Sequence, residues 1–252
     1  MTTARLITIP FSHYCEKARW ALDHHRIPYR EEAHPPMIHW AATRSVGAGR
    51  TVPVLALPGG QVLGESAEIL AYADANGRGE ALLPEARRDE ALALQARFDR
   101  TLGAAARRIF YVPMLEQARP LVRELFVQSG EGIEGALAGL LFPALSVLMA
   151  RGLKLDAAGF ARSRDAADKL FAEIDALLAD SRPYLCGEVF TAADLTLASL
   201  GAPLVVPPEY GYAQMPALDR LPPRYRALID AYRATATGQH ILRVYAEHRT
   251  LR

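Results

Sequence analysis

Residues 51–72 read TVPVLALPGGQVLGESAEILAY, and the rest of the chain is organised around them. The apolar run Val52-Pro53-Val54-Leu55-Ala56-Leu57 carries a proline at its second position. Proline has no N–H to give to a sheet ladder, so it belongs on the first residues of a strand or at an edge. Pro58-Gly59-Gly60 is turn chemistry, and Gln61-Val62-Leu63 is a second short run. After Gly64 the period changes, with Ile69, Leu70 and Ala73 following Glu65-Ser66 at helical spacing. Strand, tight turn, strand and helix are expected.

A helix opening at Ser66 leaves its first backbone N–H groups unpaired, and such a helix mouth holds a carboxylate or phosphate. Ser66 adds a hydroxyl donor there, and Glu65 offers a partner for an ammonium. An amino acid carries one group of each sign on one carbon. On these residues alone, Ser66 acting only as a helix cap is an equal alternative.

These residues also carry a resemblance. Val52-Pro53-Val54-Leu55 followed by Glu65-Ser66-Ala67-Glu68-Ile69 resembles the glutathione-binding half of the glutathione S-transferase family. The resemblance implies an α/β thioredoxin-like domain over residues 1–77, ordered β-α-β-α-β-β-α with a mixed four-stranded sheet. A linker at 78–84 and an all-α helical bundle over 85–252 would come after it. It further implies a cis bond before Pro53, a backbone contact from Val52 to the cysteinyl part of glutathione, and a γ-glutamyl site at Glu65 and Ser66. Glutathione as cosubstrate, no metal, a two-fold homodimer, a cytoplasmic location and a detoxifying role belong to the same expectation.

The bulk numbers agree with a globular chain of one large or two small domains. Of 252 residues, 50% are apolar and 23% charged, with a net charge of +1, ordinary globular values. That balance gives no electrostatic case for nucleic acid or an anionic membrane. Cys15 and Cys186 lie far apart in sequence, which argues against a disulfide scaffold and fits a reducing compartment. No secretory signal is expected, since Leu6 to Phe11 is too short for an apolar core and is followed by His13, Glu16 and Lys17. Gly135 to Ala150, the longest uncharged run, falls short of a membrane span and is expected to be a buried helix.

Arg5 to Pro10 reads as the first strand. HYCEKARWALDHH comes next as a helix with Ser12 as its N-cap and Glu16 near its positive end. Ile27 to Glu32 reads as a second strand, and Met37 to Thr43 as a short helix. Beyond Leu83-Pro84 the pattern is helical. Leu94, Phe98, Leu102, Ala105 and Ile109 form one stripe that should stop near Pro113, and glycines at 130, 132 and 135 should break the helical stretches beyond it. A helix is expected from about Ser163 to Ala179. Thr191 and Asp194 have the spacing of a capping box, with Phe190 and Leu195 as its staple; they are read as structural. The closing helices are Pro223 to Ala236 and Gln239 to His248.

The chemistry should fall at Ser12-His13-Tyr14-Cys15. By the resemblance, the first position of this motif faces the glutathione sulfur, and a serine there matches the serine-type transferases. A free thiol has a pKa of about 8.5, and lowering it by about two units means roughly 2.7 kcal/mol in favour of the thiolate. A hydrogen bond to an anion supplies about 1.5–3 kcal/mol, and a helix N-terminus about 0.3–1. Ser12 is therefore the first catalytic candidate, its capping role being compatible.

Cys15, in the first turn of the helix, is the second candidate. It stands for a reductase, lyase or thioltransferase reading, against inert burial. His13 is expected to be exposed and Tyr14 to be core. Thr51 stands where many relatives carry a lysine for the glycine carboxylate, and Arg50 is its nearest substitute. His39, Trp40 and Arg44 are candidates for that same end. Phe110, Tyr111, Met114, Tyr210 and Tyr212 are candidates for the wall of a second-substrate pocket between the domains. A non-enzymatic binding protein of the same fold is the remaining alternative.

Overall fold

The computed structural model describes residues 3–211 and 215–249. Its first part takes the order β1 (Ala4–Thr8), α1 (His13–His24), β2 (Tyr29–Ala33), α2 (His39–Ser45), β3 (Val54–Ala56), β4 (Val62–Leu63) and α3 (Ser66–Asn76). The sheet is ordered β2-β1-β3-β4. β1 runs parallel to β2, with Leu6 opposite Glu31, and antiparallel to β3, with Leu6 opposite Leu55. A parallel pair needs a crossover, and α1 supplies it. Leu6, Ile7, Val54 and Leu55 are buried, as expected of central strands covered on both faces. This is the expected thioredoxin-like arrangement, and the Val52–Pro53 bond is cis.

The remainder is helical among the described residues. α4 (Arg88–Gln117) packs along α7 (Ala157–Leu178) and α8 (Ala192–Val205), with α5 (Arg119–Gln128) and α6 (Gly132–Leu153) as a hairpin between. α9 (Pro223–Arg233) and α10 (Ala236–His248) close the chain. α8 is apolar and buried almost all round, which marks a core helix. Thr191 and Asp194 form the capping box at its start. The Asp194 carboxylate also accepts from the Leu185 N–H at 2.9 Å and pairs with His240 Nε2 at 3.1 Å. The stretch before α4 is fastened: Asp74 Oδ1 accepts from the Leu82 N–H at 2.6 Å, and the Ala192 N–H donates to Leu82 O at 2.7 Å.

Three expectations about the helices are corrected. α4 does not stop near Pro113 but runs through it to Gln117. Ile109, Phe110, Tyr111 and Met114 are all buried around the proline, and that packing outweighs a local cost of about 3 kcal/mol. The break expected at Gly130 and Gly132 falls between α5 and α6, but Gly135 does not break α6; with Gly139 it lets the helix touch α5. A Cβ on Gly135 would lie 2.5 Å from Val127 O, and one on Gly139 would lie 2.9 Å from a Val127 methyl. Nor is α6 buried. Ile133 and Leu140 are 86% and 75% exposed, and by length and composition alone the helix could cross a membrane.

α1 joins the two halves, packing on α3 on one side and α8 on the other. Several of its charged residues are buried and paired. Glu16 lies between Arg249 Nε at 2.7 Å and Arg19 Nε at 3.1 Å. Arg249 also reaches Asp23 at 3.0 Å, and Arg19 reaches Glu31 at 2.8 Å. Lys17 Nζ lies 2.8 Å from both oxygens of Asp99 on α4.

Candidate functional site

A cavity of about 1860 Å³ separates the sheet domain from the helices. From the first domain it is lined by Ser12, Val52, Glu65 and Ser66, and from the second by Phe110, Tyr111 and Tyr210. The sequence places these residues up to about two hundred positions apart; the fold brings them to one space.

Ser12 occupies the N-cap position of α1 with extended backbone, yet its side chain makes no capping hydrogen bond. The hydroxyl is therefore not spent on capping the helix; it hydrogen-bonds with the Cys15 thiol in the first turn. Glu65, not Ser66, is the N-cap of α3, and it forms a capping box with Glu68. The Glu68 carboxylate accepts from the N–H groups of Glu65 at 3.2 Å and Gly64 at 3.1 Å. The capping role considered for Ser66 thus belongs to its neighbour, and Ser66 is the first residue inside the helix. The backbone N–H groups of Ser66 and Ala67 lie in the first turn, where no helical acceptor reaches them.

Val52 lines the cavity immediately before the buried, cis Pro53. Arg50 and Thr51 are exposed at the same rim. The Arg50 guanidinium stands 5.0 Å from the centre of the Trp40 ring, and His39 Nε2 donates to Arg50 O at 2.9 Å. Of the three candidates for that end, His39 and Trp40 line the cavity and Arg44 does not.

Sequence reasoning missed Asp99. It lines the cavity from α4 while holding Lys17, and both Asp99 and Glu65 act on Lys17 and Tyr14 electrostatically. Two carboxylates thus share one region of the site. Burial works to lower the Lys17 ammonium, against Asp99. No signal in the sequence marks this pair, because its meaning depends on which face of α4 meets α1.

Several candidates fall elsewhere. Cys15 is fully buried and outside the cavity lining. Burial pushes its thiol up to about 11, against Arg19, the Ile9 backbone and the Ser12 hydroxyl, so the position near a helix start does not make a thiolate here. Met114 is fully buried and does not line the cavity, because it turns into the helical core. Tyr14, expected in the core, is half-buried on the cavity wall. Its hydroxyl occupies the space beside Gly103, where a Cβ would lie 2.0 Å away. Tyr210 lines the cavity and donates to Phe11 O at 3.0 Å, whereas Tyr212 lies outside the described residues. Among the described residues no group of three His, Cys, Asp or Glu is placed to hold a metal.

His13 is buried, not exposed as expected. Its Nε2 donates to Gly103 O at 2.9 Å. Burial, reinforced by the Arg107 guanidinium, pushes the imidazole down to about 3 against that hydrogen bond. An unfolded histidine takes its proton near 6.5. The folded state therefore binds fewer protons between those values, so stability is complete above about 6.5 and is lost as pH falls toward 3. His39, His25 and His248, lowered by burial, act in the same sense. Denaturant titrations should lose about 3 kcal/mol between pH 6.5 and 4 through His13 alone. His13→Asn should flatten that slope; an unaltered slope would contradict the assignment.

Comparison with protein-family models matches residues 6–81 to the glutathione S-transferase N-terminal domain and residues 157–234 to the glutathione S-transferase C-terminal domain. Comparison with curated protein sequences finds no match. A glutathione S-transferase from Rhodospirillum rubrum F11 has a TM-score of 0.56 at 20% identity, covering 98% of this chain and 100% of that one. A glutathione S-transferase of Ceriporiopsis subvermispora, solved in complex with glutathione, has a TM-score of 0.65 at 15% identity, covering 100% and 99%. A glutathione transferase from Phanerochaete chrysosporium has a TM-score of 0.62 at 18% identity, with the same coverage. At such identities the likeness is one of fold.

Proposed function

Because this chain belongs to the glutathione S-transferase family, we propose that it binds glutathione in the interdomain cavity and transfers it to a small, largely apolar electrophile. One observation carries the reading: Ser12, Val52, Glu65 and Ser66, each suited to a different part of one tripeptide, line a single cavity. The γ-glutamyl carboxylate fits the mouth of α3, at the Ser66 hydroxyl and the first-turn N–H groups. Its ammonium fits Glu65 and Asp99. The cysteinyl part pairs with the Val52 backbone, and the glycine carboxylate reaches Arg50, with Thr51 beside it.

In this pose the sulfur meets Ser12 at the start of α1. The hydroxyl donates to the thiolate, the helix N-terminus adds a favourable field, and the proton leaves to solvent. The protein supplies no covalent nucleophile. It holds thiolate and electrophile together, which converts a bimolecular encounter into an intramolecular step. Phe110 and Tyr111 form part of the wall against which the electrophile rests. The same reading takes residues 1–77 as the glutathione-binding unit, 78–84 as the linker and 85–252 as the helical domain. It includes a two-fold homodimer, a detoxifying role and a cytoplasmic location, with which two buried, free cysteines agree.

Calorimetric titration with glutathione tests the reading directly. Saturable binding below millimolar concentration is expected, and no heat at millimolar glutathione would favour a non-enzymatic member of the fold. In the same preparation Cys15→Ser should keep full turnover, and native Cys15 should resist alkylation. Loss of activity in that variant would instead support the thioltransferase reading.

A further inference from the structure

Arg107 stands on α4 one turn beyond Gly103, the residue that receives both the His13 hydrogen bond and the Tyr14 hydroxyl. Its side chain lines the cavity. Its Nε is shut off from solvent and has no hydrogen-bond partner, and the guanidinium has no ion pair among the described residues. The neighbouring arginine is different: Arg108 Nε donates to Leu153 O at 2.8 Å and serves the packing of α4. Asp99, two turns back on the same helix, pairs with Lys17 and not with Arg107. The cavity that Arg107 lines also has apolar wall residues, among them Phe110, Tyr111, Met149, Leu153 and Pro203.

A guanidinium half-withdrawn from water without an acceptor is unfavourable unless something supplies one. Within the cavity its charge is felt by His13, Tyr14 and Tyr111. It therefore acts on open space beside the motif that begins at Ser12. Four residues along a helix is about 6 Å, so the cation sits roughly one turn from where His13 meets α4.

We infer that Arg107 receives an anionic group of the second substrate, which is an aromatic or aliphatic body bearing a carboxylate or sulfonate. The planar fork suits such a group in bidentate fashion, while the apolar wall takes the body. Naming this ligand the electrophile rests on the glutathione-transfer reading; the anion site itself does not.

The test separates the two. Binding of 2-naphthoate and of neutral 2-naphthamide is measured on the full chain, alongside S-benzylglutathione and S-(4-carboxybenzyl)glutathione. The wild type should prefer each carboxylate over its neutral counterpart by roughly tenfold or more. Arg107→Gln should abolish both preferences and leave the neutral ligands unaffected. Arg107→Lys should retain part of them, which serves if the glutamine variant does not fold. Equal binding of naphthoate and naphthamide by the wild type would overturn the proposal, as would a preference that survives in Arg107→Gln. Equal weakening of neutral and anionic ligands would also overturn it, assigning the guanidinium to the cavity wall. Failure of S-benzylglutathione to bind while naphthoate remains preferred would overturn the glutathione reading and leave the anion site standing.

Discussion

Ser12→Ala should lower kcat/KM for glutathione conjugation by about 10–100-fold while leaving the glutathione Kd within about twofold. The hydroxyl is one donor to one anion, and such a bond is worth about 1.5–3 kcal/mol, which sets the range. Binding should survive because the carboxylates and ammonium of the tripeptide are held elsewhere, at Glu65, Ser66, Asp99 and Arg50. The sharper readout is the ultraviolet thiolate band of bound glutathione, whose pH midpoint should rise by about one to two units. A variant of unchanged turnover and midpoint would show that another group activates the sulfur. The helix itself should tolerate the change, since the Ser12 side chain makes no capping bond.

Glu16→Gln should cost about 3–5 kcal/mol of stability, lowering the melting temperature by roughly 10 °C. The carboxylate is fully buried between Arg249 and Arg19. Burial works against its charge, but the two guanidinium groups prevail and hold it below the usual carboxylate range. Removing that charge leaves two arginines withdrawn from water with less compensation, the situation in which breaking a buried pair is most damaging. The stabilisation is present above the unfolded carboxylate value and lost as pH falls through the lower folded one. Chemical denaturation of wild type and variant measures both effects, and a loss under about 1 kcal/mol would mean the cluster behaves as a solvated surface pair.

The sheet and α3 are legible in the sequence because their signals are local. The change from period two to period 3.6 after Gly64, the proline at 53 and the turn at 58–60 all act within a few residues. The capping box at Thr191 is legible for the same reason. The failures occur where tertiary packing overrides local chemistry. Pro113 is carried inside a helix by its buried neighbours, and Gly135 is a contact point, not a break. At the site, Ser12, Val52, Glu65 and Ser66 announce themselves by their motifs. Asp99 and Arg107 do not, since nothing in an amphipathic helix says which turn will face another domain. The burial of His13 is hidden in the same way: the carbonyl it meets lies ninety positions away.

The ion clusters of α1 bear on how the molecule comes apart. One helix holds Ser12 at its tip and, a turn further on, the charges that fasten it to α4 and to the C-terminal Arg249. Pulling the halves apart would strand Lys17, Glu16 and Arg249 at once, so each half should lose stability without the other. The helix that carries Ser12 is thus anchored from the far end of the polypeptide, through Arg249 on Glu16 and Asp23.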